Sequence, residues 1–240
     1  MKVLAFNGSP RMGKGNTALI LNPFLEGMRE TGAEVELFYT RKLKIKPCTG
    51  ELLCWDDKPG QCHISDDMQL LYPKLRKTNI LVLATPVYVP LPSEMQNLIN
   101  RLVTLMNPVL EMRAGRTRAR FRQDVKISKI VLVSTCGWWE KGNFGTVLRI
   151  VDELAEDVSV EFAGAVLRPH ANFLREDNEK TRNVLKAAKQ AGYQLVKKGK
   201  IPSCGVPTTT IRLRFEFKQL GIQFFYIKNI QIRCFGFLCY

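Results

Sequence analysis

Lys2-Val3-Leu4-Ala5-Phe6-Asn7 runs directly into Gly8-Ser9-Pro10-Arg11-Met12-Gly13-Lys14-Gly15-Asn16-Thr17, and this junction decides the fold. The first run is short and apolar, as a buried strand is, and a helical pattern of apolar residues opens at Thr17. Glycines allow the close backbone approach that a tight strand-to-helix loop needs. The N–H groups and dipole at the helix start attract an anion there. Ser9, Asn16 and Thr17 add short polar side chains, and Arg11 adds a fixed charge with a fork of donors. The stretch therefore describes an anion cradle; the plainer alternative is a loop in which Asn16 or Thr17 only caps the helix.

Three phosphate ligands compete for it. Gly8 to Lys14 fits the first seven positions of a nucleotide-triphosphate loop, but Gly15 stands where that loop needs a metal-binding hydroxyl. Gly13, Gly15 and Ala18 fit a relaxed dinucleotide fingerprint. The second strand, Glu34 to Tyr39, however, leads into Thr40-Arg41-Lys42 with no acid to hold a ribose, which leaves only an NADP-type dinucleotide. A single terminal phosphate, as on FMN, requires neither feature and is the simplest fit.

Apolar runs and helical patterns alternate along the rest of the chain. Strands are expected at 2–7, 34–39, 80–84, 129–134 and 161–167, and helices at 17–31, 66–77, 93–106, 145–156 and 179–198. Runs such as Ile80-Leu81-Val82-Leu83-Ala84 are apolar throughout, as expected for parallel strands covered by helices on both faces. Five strands suit a flavodoxin-like, doubly wound α/β fold: a three-layer sandwich with strand order 2-1-3-4-5. Ligands of such sheets bind beyond the carboxyl ends of strands one and three. The loop after strand three, Thr85 to Pro92, holds three prolines and one aromatic and forms a stiff apolar wall for a flat ring.

The run GSPRMGKGNT resembles the FMN phosphate loop of the flavodoxin-like NAD(P)H-dependent FMN reductases, especially their iron-sulfur flavoprotein branch. Further blocks carry the resemblance: Pro47-Cys48 through Cys62, Asp66-Asp67-Met68, Thr85-Pro86-Val87-Tyr88 and Thr135-Cys136-Gly137-Trp138. It covers about residues 1–200. It implies that Ser9, Arg11, Gly15, Asn16 and Thr17 hold the FMN phosphate. Pro86, Val87, Tyr88 and Val89 would line the ring, with Cys136 and Gly137 on the ring's polar side. It also implies hydride transfer from NADH or NADPH to FMN, and onward passage of electrons to a quinone, free flavin, metal complex or protein acceptor. A second reading is an electron-transfer protein that holds FMN, with or without an iron-sulfur cluster, and turns over no small molecule. No catalytic side chain is assigned, since the flavin itself can accept hydride. A homodimer or higher homo-oligomer is implied by analogy. Where the family often carries a Lys and an Asp in the helix after the third strand, this chain has Gln96 and Asn100.

In the iron-sulfur branch, a cysteine motif in the segment after strand two holds a [4Fe-4S] cluster. Here Cys48, Cys54 and Cys62 remain, and Glu51 stands where a further cysteine would fall. A carboxylate is a hard ligand and a poor match for a soft cluster. His63, a candidate nitrogen ligand, is solitary. The segment is expected to keep the family's loop shape without the metal.

A chain of 240 residues with 45% hydrophobic content can bury one full core. Seven cysteines and no secretory pattern point to reduced thiols in the cytoplasm, and no apolar run approaches the roughly 20 residues of a membrane span. The net charge of +14 favours anionic ligands, but no nucleic-acid recognition motif accompanies it. Part of it lies in Arg113, Arg116, Arg118, Arg120 and Arg122, expected to form an exposed loop. Beyond a 1–200 FMN-binding domain, residues 201–240 change character. Ile211, Leu213, Phe215 and Phe217 alternate with Arg212, Arg214 and Glu216, a strand pattern in an atypical extension.

Overall fold

The computed structural model describes residues 1–201, so the strand pattern beyond residue 208 lies outside the described residues. Its elements in chain order are β1 (Lys2–Asn7), α1 (Asn16–Arg29), β2 (Glu34–Tyr39), α2 (Met68–Lys77), β3 (Ile80–Pro86) and α3 (Ser93–Arg101). They continue with β4 (Met106–Arg113), β5 (Arg116–Phe121), β6 (Lys129–Thr135), α4 (Gly145–Asp157), β7 (Glu161–Arg168) and α5 (Glu179–Lys198). Five parallel strands form one sheet in the order β2-β1-β3-β6-β7, while β4 and β5 pair only with each other. Without that hairpin the order is the expected 2-1-3-4-5, and the fold is flavodoxin-like.

The strands are apolar on both sides because both sides are covered. Val3, Ala5, Val82, Val131 and Val133 pack with Ile20, Phe24 and Leu195 of α1 and α5. The alternate residues Leu4, Phe6, Leu81, Leu83 and Leu132 pack with Met68, Leu75, Met95, Leu98 and Val151 of α2, α3 and α4. Two glycines, Gly27 of α1 and Gly192 of α5, face each other's helix backbone.

Two expectations change. The third helix stops at Arg101 and passes through a 3-10 turn, Leu102–Leu105, into β4, where a helix to Met106 was expected. Pro108 explains this: it disfavours helical backbone at Asn107 and supplies no N–H to continue the helix. The arginine run is an antiparallel hairpin and not an exposed loop. Ala114 (φ 47°) and Gly115 (φ 75°) provide the two left-handed turn residues that a two-residue hairpin favours. Arg118 is only 4% exposed because Glu153, Glu156 and Asp157 of α4 surround its guanidinium. Arg113 donates to the Glu156 and Asp157 carbonyls at the end of α4. Among the described residues no helix is long and apolar enough to cross a membrane.

Candidate functional site

Four connections leave the carboxyl ends of β1, β3, β6 and β7 on one side of the sheet: 8–15, 87–92, 136–144 and 169–178. Asn7, fully buried, accepts the Ser9 N–H on Oδ1 at 2.9 Å, and Gly8 N donates to Ala84 O at 2.7 Å. This side-chain turn bends the chain off the sheet edge. Met12 N then bonds Ser9 O at 2.8 Å, and Met12–Lys14 make one 3-10 turn before α1 starts. A side chain at Gly15 would strike Ser9 Oγ and lie 3.3 Å from Met12 O, so glycine is what lets the loop close. The Arg11 and Gly13 N–H groups have no backbone or side-chain acceptor among the described residues. The first N–H groups of α1, from Asn16 and Thr17, lack intrahelical partners by position.

The sequence-predicted phosphate residues divide into two kinds. Ser9 lies against Gly15, and Arg11 is exposed at the mouth of the loop. The side chains of Asn16 and Thr17 are instead engaged with protein: Thr17 Oγ1 bonds Thr135 Oγ1 at 2.8 Å, and Asn16 bonds Asn172 and Arg175. These two residues face the site with backbone and not with side chain. Asn172 and Arg175, in the connection after β7, escaped sequence reading. The only signal for them was that a fifth parallel strand would deliver its following loop to this edge.

The 87–92 loop is tied down by Val87 N to Thr135 O at 2.8 Å and Tyr88 N to Pro90 O at 3.1 Å. Pro86 ends β3 and Val87 packs against the core, whereas Tyr88 and Val89 point outward, 54% and 101% exposed. The four predicted ring contacts thus split into two supporting residues and two that form the surface. After β6, Cys136 is buried and its Sγ accepts the Trp138 N–H at 3.3 Å. Gly137 has open space where a Cβ would be. Trp139 lies over His170, ring centroids 3.4 Å apart, and His170 meets Phe173 at 3.9 Å. Burial first, and then the Arg168 charge, hold the His170 imidazole below its ordinary pKa. Gln96 Nε2 donates to Asn100 Oδ1 at 2.9 Å, so the two residues that depart from the family's Lys and Asp pair with each other without charge.

The cysteine segment supplies three thiols, Cys48, Cys54 and Cys62, with Glu51 where a further cysteine would fall. Glu51 faces His63, Oε2 to Nε2 at 3.4 Å, on the surface. Burial pushes the Cys54 thiol up, with Thr104 bonded to it. Cys62 Sγ accepts from Arg101 Nη2 at 3.3 Å. No group of three or more Cys, His, Asp or Glu among the described residues is placed to hold a metal. Three thiols are one short of a four-thiolate set. What organises the segment is the fully buried Arg101. Its guanidinium donates to Asp66 at 2.5 and 3.2 Å and to Lys46 O at 2.9 Å.

Residues 1–142 match the family model described as NADPH-dependent FMN reductase. An iron-sulfur flavoprotein of Methanocaldococcus jannaschii is 34% identical over 88 residues, 37% of this chain and 44% of that protein. One from Methanosarcina thermophila is 33% identical over 106 residues, 44% of this chain and 54% of that protein. The matches thus span about half the length of these curated relatives. Among solved structures, an NAD(P)H:quinone oxidoreductase from Methanothermobacter marburgensis superposes with TM-score 0.59 at 16% identity, over 81% of this chain and 98% of that one. An FMN-dependent NADH-azoreductase from Bacillus anthracis gives 0.55 at 12%, also over 81% and 98%. At such identities these two likenesses concern the fold. The family model, by contrast, covers more than half of the chain, including the 8–15 and 87–92 loops, and on that match the chain belongs to the NADPH-dependent FMN reductase family.

Proposed function

We propose that this protein is an FMN-dependent oxidoreductase. It draws hydride from NADH or NADPH and delivers electrons to a quinone, free flavin, metal complex or protein acceptor. The observation that carries the proposal is the loop at the end of β1, where Arg11 and Gly13 N–H groups without an acceptor among the described residues, the start of α1 and the exposed Arg11 lie beside the 87–92 loop. That donor set suits a phosphate with no metal, and the neighbouring wall suits a flat ring.

Bound FMN would supply the hydride-accepting and electron-releasing chemistry. The chain's own residues bind and orient. Arg11, Ser9 and the loop N–H groups neutralise and hold the phosphate. Tyr88 and Val89 exclude water from one side of the ring. The β6 connection at Cys136 and Gly137 gives the ring an approach free of side-chain bulk. Cys136, buried and bonded to Trp138 N, packs this loop and is not an exposed nucleophile. The cysteine segment has no electron-transfer part in this proposal. A homodimer belongs to it as well, supported by the outward Val109, Leu110 and Met112 of the β4–β5 hairpin.

The purified protein loaded with FMN should oxidise NADH or NADPH steadily when a quinone is supplied. Absence of turnover with every common acceptor, while FMN stays bound, would instead favour an electron carrier. Arg11→Ala should weaken FMN binding by about 1–3 kcal/mol, the range for a lost charge-assisted hydrogen bond, measured by flavin fluorescence titration. Unchanged affinity would move the phosphate elsewhere.

A further inference from the structure

We infer that Arg175 is a positioning residue for the phosphate loop, acting with Asn172 from the connection after the last strand. The inference rests on the FMN reading above. Arg175 Nη2 donates to Lys14 O at 2.6 Å, and its Nε donates to Asn16 Oδ1 at 3.0 Å. Asn16 Nδ2 in turn donates to Asn172 Oδ1 at 2.8 Å. The guanidinium therefore grips the residues on both sides of Gly15, the position whose missing side chain lets Ser9 close the loop.

The grip has an electrostatic consequence. Asn16 Oδ1 is an acceptor at the start of α1, where it would repel a phosphate oxygen or fold back to cap the helix's own N–H groups. With both ends of its carboxamide engaged by Arg175 and Asn172, it is turned away and those N–H groups stay available. The Lys14 carbonyl, a second acceptor in the loop, is occupied by the same arginine. Arg175 thus removes two competing acceptors and fixes the backbone that carries the donors.

The element that presents Arg175 is itself held. Residues Ala171–Arg175 form a 3-10 turn after His170, which adopts left-handed backbone at φ 50°. Ala171 N bonds Cys136 O at 2.9 Å, and His170 N bonds Trp138 O at 2.7 Å. Thr181 Oγ1, in the first turn of α5, donates to Phe173 O at 3.2 Å. One short strap therefore touches the phosphate loop at one end and the Cys136–Trp139 loop at the other, spanning the two halves of the proposed cofactor site.

FMN and riboflavin, which lacks the phosphate, discriminate a phosphate-loop role from a general one. In Arg175→Ala the FMN dissociation constant should rise about tenfold, as for a lost charge-assisted hydrogen bond, with riboflavin binding unchanged. Arg175→Lys, which keeps the charge but cannot span both acceptors, should recover only part of the loss. Should Arg175→Ala fail to fold by circular dichroism, Asn172→Ala carries the test, with a smaller loss again confined to FMN. Equal loss for both flavins, unchanged FMN binding, or full rescue by lysine would overturn the positioning role. Wild-type protein that ignores FMN sinks the FMN reading and this inference together. An Arg11→Ala loss without an Arg175→Ala loss sinks this inference alone.

Discussion

Arg101→Met is expected to lower the unfolding free energy by about 3–5 kcal/mol, the usual cost of leaving one partner of a buried ion pair alone. Arg101 and Asp66 have side chains 0% and 1% exposed, so no water can replace what the guanidinium supplies. The loss spreads because Arg101 also holds Lys46 O and Cys62 Sγ, the two ends of the cysteine segment. Urea denaturation with an unchanged slope would measure it. A shift below about 1 kcal/mol, as for an exposed pair, would show that other contacts hold the segment. Replacing both residues by apolar ones, Arg101→Met with Asp66→Leu, should recover part of the loss, since no lone charge is then buried.

The same pair sets an acid dependence with a definite sign. Burial alone would raise the Asp66 carboxyl, but hydrogen bonds from Arg101 and from the Lys46 and Met68 N–H groups outweigh it and hold it below the ordinary carboxylate value. In the unfolded chain this carboxyl takes up its proton at higher pH than in the folded one. Its contribution is therefore complete above the unfolded value and is lost as pH falls through the folded one. Wild-type stability should decline on acidification below about pH 4, the unperturbed aspartate range, and Asp66→Asn should flatten that part of the curve.

Gly192→Ala should cost about 3 kcal/mol, the upper range for forcing bulk into a packed core. The sign is the informative part. In an ordinary helix interior this change stabilises by about 0.5–1 kcal/mol because alanine is the better helix former. Here a Cβ at Gly192 would run into the Phe24 carbonyl oxygen and lie 2.9 Å from its carbon. A Cβ at Gly27 would meet the Lys189 carbonyl and lie 2.9 Å from Tyr193 N. The obstacles are backbone atoms, which cannot swing aside as a flexible side chain does, so α1 and α5 must separate. Because α1 opens at the phosphate loop, FMN affinity should fall with stability. A neutral or stabilising result in thermal and urea denaturation would show that the helices tolerate separation.

What could be read from the chain and what could not follow from how far each interaction reaches. The strand–glycine turn–helix start, proposed to hold a phosphate, was legible because all three parts fall within Lys2–Thr17, so local chemistry specifies it. The parallel sheet was legible because continuous apolar runs such as Ile80–Ala84 and Ile130–Val133 need helices on both faces. The alternation of Arg116, Arg118 and Arg120 with Thr117, Ala119 and Phe121 was visible but its meaning was not. The neutralising Glu153, Glu156 and Asp157 come from α4, more than thirty residues later. Likewise nothing near Arg175 announces a role at Lys14 and Asn16, about 160 residues earlier.

By itself, then, the sequence determined the parallel α/β sheet and the glycine-rich loop between its first strand and helix, since each rests on neighbours along the chain. Only the tertiary structure decided which side chains of that loop remain free for a ligand and which are turned to Asn172, Arg175 and Thr135. It alone showed a buried arginine and aspartate organising the cysteine segment. Hydrogen bonds and ion pairs between distant residues form only once the sheet brings its loop-bearing edge together, and no local pattern encodes them.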